Sequence, residues 1–193
     1  MRTTLIVFMV CASILLPAAA YSGEVVPLSY TSSPHPSGSY PDTSGKELTD
    51  GVIGAAVLND SAWQGWSNSN PAITFTFDDP INLQQIDVHV LKIVSPGVGI
   101  PLHINVVAGL YSHTWDFDNA GYTNPSCATL TLPIPGVISD TVKVTLTRTT
   151  SWIFCSEVDF YGQPELPVPE PSGLLALASG LVAAGAALRR RLA

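Results

Sequence analysis

The side chains most able to bind a ligand by ring contact and hydrogen bonding are concentrated between positions 111 and 116. The sequence there reads Tyr-Ser-His-Thr-Trp-Asp, so Tyr111, His113 and Trp115 alternate with hydroxyl and carboxyl side chains. An aromatic face fits the apolar C–H side of a pyranose, and adjacent polar groups could hold its hydroxyls. We interpret these three residues as candidate sugar ligands, with an ordinary strand edge as the alternative.

Motifs for catalysis are missing from the sequence. The four histidines follow no HExxH or similar metal spacing, and there is no CxxC pair. A GxSxG elbow, a phosphate-binding glycine loop and an assignable carboxylate pair are absent too. His89 alternates with Val88 and Val90, so we expect its side chain to face outward from a strand. A hydrolytic enzyme is therefore the least favoured function.

The central part of the chain is strongly acidic. Between residues 21 and 168 only four basic residues face fourteen of the fifteen carboxylates, an excess of ten negative charges. So few cations cannot neutralise a row of phosphates, which excludes nucleic acid as an expected partner. Docking on anionic lipid by charge alone is disfavoured for the same reason.

The N-terminus has the three parts of a secretory signal peptide. Arg2 precedes an apolar run over residues 5–16, and small residues follow at Ala18 and Ala20. We predict a signal helix over residues 1–20 that signal peptidase cuts before Tyr21. An uncleaved membrane anchor is the alternative, although the run is short for a membrane span.

Export determines how the cysteines are interpreted. Cys11 leaves with the signal peptide, so Cys127 and Cys155 remain as an even pair outside the reducing cytosol. We predict a disulfide between them. The alternative is two buried free thiols.

The C-terminus contains a second apolar stretch. Residues 163–171 hold four prolines and form a stiff linker, and residues 173–188 are uncharged and rich in Leu, Ala and Gly. Sixteen helical residues span about 24 Å, slightly less than a ~30 Å hydrocarbon core. We predict a transmembrane helix and basic tail over residues 172–193, with the three arginines on the cytoplasmic side.

The order of motifs in this tail is specific. Pro169, Glu170 and Pro171 precede the apolar stretch, and Arg189, Arg190 and Arg191 follow it. This ending resembles the PEP-CTERM sorting signal of Gram-negative bacteria that make extracellular polysaccharide. The resemblance implies an exosortase-type membrane protease as a partner. The protein would be anchored in the inner membrane before processing and would reach the cell surface or the medium afterwards.

The central part of the chain shows β periodicity. Short alternating runs rich in β-branched residues are separated by Gly, Pro, Asn and Asp, which indicates antiparallel strands with one buried face. The clearest runs are residues 73–77, 86–90, 104–106, 130–132 and 142–146. We predict an all-β, jelly-roll β-sandwich over residues 46–162, preceded by an irregular lead-in over residues 21–45.

Several short motifs in this part occur in a familiar order. They are LTDG from Leu48, WQGW from Trp63, ITFTFDDP from Ile73, IDVHV from Ile86 and SEVDFYG from Ser156. In this order they resemble the discoidin, or F5/8 type C, family, which has the galactose-binding-like fold. The resemblance implies that Trp63, Trp66 and Trp152 pack inside the fold or at its rim.

The resemblance also implies a cation site. In many family members an Asp and a Glu at the positions of Asp50 and Glu157 help to hold Ca²⁺, and the carbonyls of Leu48 and Ser156 are the matching co-ligands. Such a structural Ca²⁺ would join the two ends of the sandwich, because it takes six to eight oxygen ligands. The alternative is that Asp50 fixes a turn before Gly51 and that Glu157 faces solvent.

Together these observations predict an exported, non-enzymatic surface module that binds carbohydrate, with exopolysaccharide as the expected ligand. A structural matrix or adhesion protein that binds other proteins is the alternative.

Overall fold

A computed structural model of the chain describes residues 23–164. The predicted signal peptide, the PEP motif and the apolar tail lie outside the described residues. The strands are β1 (Gly23–Glu24), β2 (Ser29–Ser33), β3 (Gln64–Ser67), β4 (Ala72–Lys92), β5 (His103–Ala108), β6 (Tyr111–Asp116), β7 (Ser126–Thr147) and β8 (Trp152–Pro164). A 3₁₀ turn at Asn119–Gly121 is the only helical segment in this part, and no helix there could cross a membrane.

Two long strands build the sandwich. β4 and β7 pair with each other along most of their length and pass through both layers. The first layer contains β2, the first half of β4, the second half of β7, β5 and β6, in that order. The second layer contains the first half of β7, the second half of β4 and β8, with β1 and β3 both paired to β8.

The crossing between the layers coincides with a break in register. The pairing of β4 with β7 shifts between Thr76 and Ile81, and the residues between them include the exposed Asp78-Asp79-Pro80. Proline has no N–H for a ladder hydrogen bond, so it is tolerated where a bulge bends the strand. The sequence at this point therefore bends β4 without ending it.

Each alternating run of the sequence is part of a strand, so the all-β prediction is confirmed. Two pairs of these runs share one long strand: residues 73–77 and 86–90 both belong to β4, and residues 130–132 and 142–146 both belong to β7. The prediction of an irregular lead-in is corrected in part. β1 and β2 lie within it, and β2 pairs with β4 as an edge strand of the first layer.

The main core lies between the two layers. The inward-facing positions of both layers are almost fully buried, and Phe75 of the first layer meets Phe160 of the second at a centroid distance of 4.8 Å. A smaller cluster of Trp63, Leu91, Val98 and Phe154 lies on the outer face of the second layer. Trp63 and Trp66 are buried, as expected, and Trp152 is half-buried.

Candidate functional site

The predicted sugar ligands form one row on the edge strand β6. Tyr111, His113 and Trp115 lie opposite Ala108, Val106 and Ile104 of β5. Cross-strand partners point to the same side of a sheet. The three rings therefore lie on the side of the sheet that faces the core, as their three buried partners do. Within residues 23–164 β6 pairs only with β5, so the core covers this row incompletely. Tyr111 and Trp115 are half-buried and His113 is exposed.

The rings of this row contact one another. The rings of Tyr111 and His113 are stacked, with centroids 6.4 Å apart and an interplanar angle of 25°. His113 meets Trp115 edge to face at 4.5 Å and 73°. The aromatic row is therefore a continuous strip. Because it lies on an edge strand, its position fits both the ligand interpretation and the alternative of an ordinary strand edge.

Polar contacts on the opposite face fix the hairpin that carries the aromatic row. The side-chain amide of Asn105 donates to the carbonyl of His113 at 3.1 Å and to Oγ1 of Thr114 at 3.0 Å. His103 Nδ1 lies 2.6 Å from Oδ1 of Asp116 at the base of the hairpin. Gly109 begins the two-residue turn with a φ of 56°, a conformation that favours glycine. These contacts hold the backbone beneath the rings.

The structure brings the predicted cation ligands together. Glu157 is 3% exposed, and its Oε2 accepts a hydrogen bond from the Gly51 N–H at 3.1 Å. Burial, Asp159 and Asp50 raise the pKa of Glu157 to about 8. The carbonyl of Leu48 accepts the Val158 N–H at 2.9 Å, which places the loop against β8.

The chemistry of this group fits a hard cation. Two carboxylates lie close together, and within residues 23–164 neither is paired with Lys or Arg. The hydroxyl of Ser156 is buried and has no hydrogen-bond partner there. Glu157 is buried, which contradicts the alternative in which its side chain faces solvent. No cluster of three or more His, Cys, Asp or Glu side chains with metal-binding geometry occurs in the described residues, so backbone oxygens would have to complete the set.

His89 lies on the outer face of the second layer, as its alternation with Val88 and Val90 predicts, but it is only 8% exposed. Nε2 lies 2.8 Å from Oδ2 of Asp159, and Nδ1 lies 3.0 Å from Oγ1 of Thr129. A hydroxyl that donates to Nδ1 leaves the ring proton on Nε2, from which it is donated to Asp159. Both ring nitrogens of this buried imidazole are thus satisfied.

The predicted disulfide is wrong, because Cys127 and Cys155 are both free thiols. Cys127 pairs with Leu91 on one side of β4, and Cys155 pairs with Val90 on the other side. Consecutive residues of a strand point to opposite faces, so the two sulfurs are separated by both the strand and the sheet. The alternative of two buried thiols holds only for Cys155, since Cys127 is exposed.

One feature of the surface was missed by sequence reasoning. Residues 39–43 and 58–63 form the walls of a cleft with a volume of about 260 Å³. The half-buried Tyr40 contributes a ring, Trp63 belongs to the wall but is only 1% exposed, and Asn59, Asp60 and Ser61 contribute polar groups. Each segment has aromatic and polar residues in its sequence, but nothing in the sequence indicates that the two segments meet.

Comparison with known proteins identifies the fold. No family model matches the chain, and no curated protein is similar in sequence. Among solved structures, the CBM32-1 and CBM32-2 domains of Clostridium perfringens ZmpB align with a TM-score of 0.51 at 12% identity, covering 70% of this chain and 34% of that one. The same domains in complex with GalNAc align with a TM-score of 0.51 at 11% identity, covering 70% and 33%.

A third structure, the family 32 CBM of C. perfringens NanJ in complex with galactose, aligns with a TM-score of 0.49 at 13% identity, covering 73% of this chain and 99% of that one. At these identities the likeness to ZmpB concerns the fold. The described part of the chain has the all-β, galactose-binding-like jelly roll that the discoidin resemblance implied.

Proposed function

We propose that this protein is an exported, non-catalytic module that binds carbohydrate. The observation that carries the proposal is the aromatic row of Tyr111, His113 and Trp115, which is half exposed on an edge strand and held in place by hydrogen bonds from the opposite face. The partly exposed rings offer apolar surface beside hydrogen-bonding side chains, a combination that suits the C–H face and the hydroxyls of a sugar. The jelly-roll fold is shared with domains crystallised in complex with GalNAc, which supports a sugar as the ligand class.

The charge of the protein restricts the glycan. An excess of ten negative charges between residues 21 and 168 repels polyanions, so a neutral polysaccharide fits better than an acidic one. We propose exopolysaccharide as this ligand because the resemblance of residues 169–191 to a PEP-CTERM signal associates the protein with cells that secrete one. Release from the membrane by an exosortase-type protease would bring the module to the cell surface.

The binding proposal is tested on a glycan array with the intact protein and its Trp115→Ala variant. We expect retention on at least one neutral glycan and roughly a 5- to 150-fold weaker affinity for the variant, since stacking on an aromatic side chain contributes about 1–3 kcal/mol. Trp115→Phe keeps a ring and should retain most of the affinity. Leu110→Ser, at the adjacent hairpin tip, is the matched control. No retention of the folded protein on any glycan would refute the proposal.

Processing is tested by the intact mass of the surface form. We expect a mass that lacks residues 1–20 and the residues after the PEP motif at positions 169–171. A surface form that keeps both ends contradicts the role of signal peptidase and exosortase, but it leaves carbohydrate binding to be judged by the array.

We also propose a structural Ca²⁺ held by Asp50, Glu157 and the carbonyls of Leu48 and Ser156. What supports this site is the closeness of two carboxylates that no Lys or Arg neutralises within the described residues. The ion would supply the missing positive charge and tie the loop at Gly51 to β8.

A protein partner is the second candidate, favoured by the apolar hairpin tip. Leu110 is fully exposed, and Ile138 of β7, which lies beside Gly109, is 53% exposed. These two exposed apolar side chains, one in the hairpin turn and one on β7, could contact another protein. Pull-down of a protein that competing sugars do not release, and that Leu110→Ser does release, would favour this function.

A further inference from the structure

The cleft between residues 39–43 and 58–63 has the make-up of a binding site, and it lies apart from the aromatic row. It is formed by loops next to β3 and β8, whereas the row is on β6, at the other side of the strand order. We propose that this cleft is a second sugar-binding site, which accepts one neutral pyranose ring. The choice of a sugar as the ligand class rests on the proposed function.

The dimensions of the cleft suit a single ring. Its volume of about 260 Å³ is below the range of about 300–1,000 Å³ that is typical of pockets for drug-sized ligands. A site of this size takes the terminal residue of a glycan, whereas the open aromatic row accommodates residues within a chain. The two sites would therefore contact different parts of the same polysaccharide, which increases the avidity.

The wall formed by residues 58–63 is rigid. The indole N–H of Trp63 donates to the carbonyl of Ala55 at 2.9 Å, and the ring packs directly against Gly54. The carboxylate of Asp60 accepts the N–H of Ala55 at 2.9 Å and that of Ala62 at 3.0 Å. A site held in its bound conformation loses less entropy when the ligand binds.

The opposite wall is fixed through Tyr40. Its ring meets Phe154 edge to face at 4.5 Å and Trp152 at 5.8 Å, and its carbonyl accepts the N–H of Gly65 at 3.2 Å. Thr43, at the end of this wall, donates its backbone N–H to Oε1 of Glu47 at 2.6 Å. Internal contacts thus define the conformation of both walls before a ligand binds.

The polar groups of the cleft suit sugar hydroxyls. Asn59 and Ser61 are exposed, and their side chains make no hydrogen bond within residues 23–164. Each oxygen of Asp60 accepts a single backbone N–H, so a lone pair on each remains for a hydroxyl donor. Donors and acceptors beside the half-buried Tyr40 ring suit a neutral sugar. The Asp60 carboxylate repels a uronic acid.

The test uses NMR spectra of the ¹⁵N-labelled protein titrated with galactose, N-acetylgalactosamine, glucose, mannose and glucuronic acid. We expect at least one neutral sugar to shift the Trp63 indole and the amides of Asn59 and Ser61 in a saturable manner, and glucuronic acid to bind more weakly. Asn59→Ala with Ser61→Ala should weaken this binding by about 5- to 100-fold, because two hydrogen bonds are lost. These changes break no internal hydrogen bond, so the fold should be preserved.

Trp115→Ala is the crossed control. It should leave the cleft titration unchanged while it weakens binding to the aromatic row on the glycan array. If no neutral sugar saturates the cleft resonances, or if the double variant binds as tightly as the unchanged protein, the second site is refuted, whatever the array shows. Full array binding by Trp115→Ala in the presence of a normal cleft titration would instead refute the aromatic row as the ligand surface.

Discussion

The backbone N–H of Gly51 donates to Oε2 of Glu157 at 3.1 Å, which joins two residues 106 positions apart in the sequence. This contact ties the first long loop of the domain to its last strand. It also holds the Glu157 carboxyl in a buried position near Asp50 and Asp159, where ionisation is unfavourable. The stability of the fold should therefore depend on the state of this one side chain.

Without bound metal, the protein should lose stability as the pH rises. The pKa of Glu157 is about 8 in the folded protein, against an ordinary value of 4.5. Its contribution is complete below pH 4.5 and is lost as the pH approaches 8, with a slope of at most about 1.4 kcal/mol per pH unit. Urea unfolding in chelator at several pH values, compared with Glu157→Gln, isolates this effect. Parallel stability curves for the two proteins would contradict it.

Calcium should reverse this loss. An ion that binds only the folded state adds about 2.7 kcal/mol at one hundred times its Kd. We expect excess Ca²⁺ at pH 8 to raise the melting temperature of the unchanged protein and to leave Glu157→Gln nearly unaffected. An equal rise in both proteins would mean that the ion binds elsewhere, and no rise in either would exclude the site.

Removal of the His89 ring should destabilise the fold. His89→Ala leaves Asp159 and Thr129 without their partner on a largely buried surface, at a cost of about 1–3 kcal/mol. His35→Ala is the matched control, since His35 is exposed. Chemical denaturation of both variants measures the difference. Similar midpoints would show that the contacts of His89 add nothing to stability.

Gly54 should tolerate no side chain. A Cβ at this position would lie 2.4 Å from the Trp63 ring, which is itself packed in the smaller core cluster. Gly54→Ala should therefore cost about 1–3 kcal/mol by overpacking. Gly38→Ala is the control, because a Cβ there meets nothing within 4 Å. We expect differential scanning calorimetry to show a lower melting temperature for the first variant only.

The two cysteines should react at very different rates. Cys127 is exposed, whereas Cys155 is fully buried and its burial raises the pKa of the thiol. With Cys11→Ser in place, we expect a maleimide to label one thiol in the native protein and two after denaturation. A native protein that resists labelling and gains two thiols only on reduction would restore the disulfide hypothesis.

Residue patterns along the chain were enough to predict the class of the fold. Alternation of apolar and polar residues shows which side chains face inward along a strand, because the side-chain period of a strand is two. It placed His89 on the outer face and the runs at residues 73–77 and 142–146 in strands, and it put Tyr111, His113 and Trp115 in phase with one another. The terminal motifs and the acidic balance also follow directly from the order of residues.

The pairing of the strands could be learned only from the three-dimensional structure. Period two does not say which strand lies alongside another, so it could not show that β4 separates Cys127 from Cys155 or that β4 continues through its bulge. The meeting of Asp50 with Glu157 was expected only from a family resemblance, and the cleft between Tyr40 and Asn59 was not expected at all. Such contacts depend on long-range register, which is fixed when all strands pack together around one core.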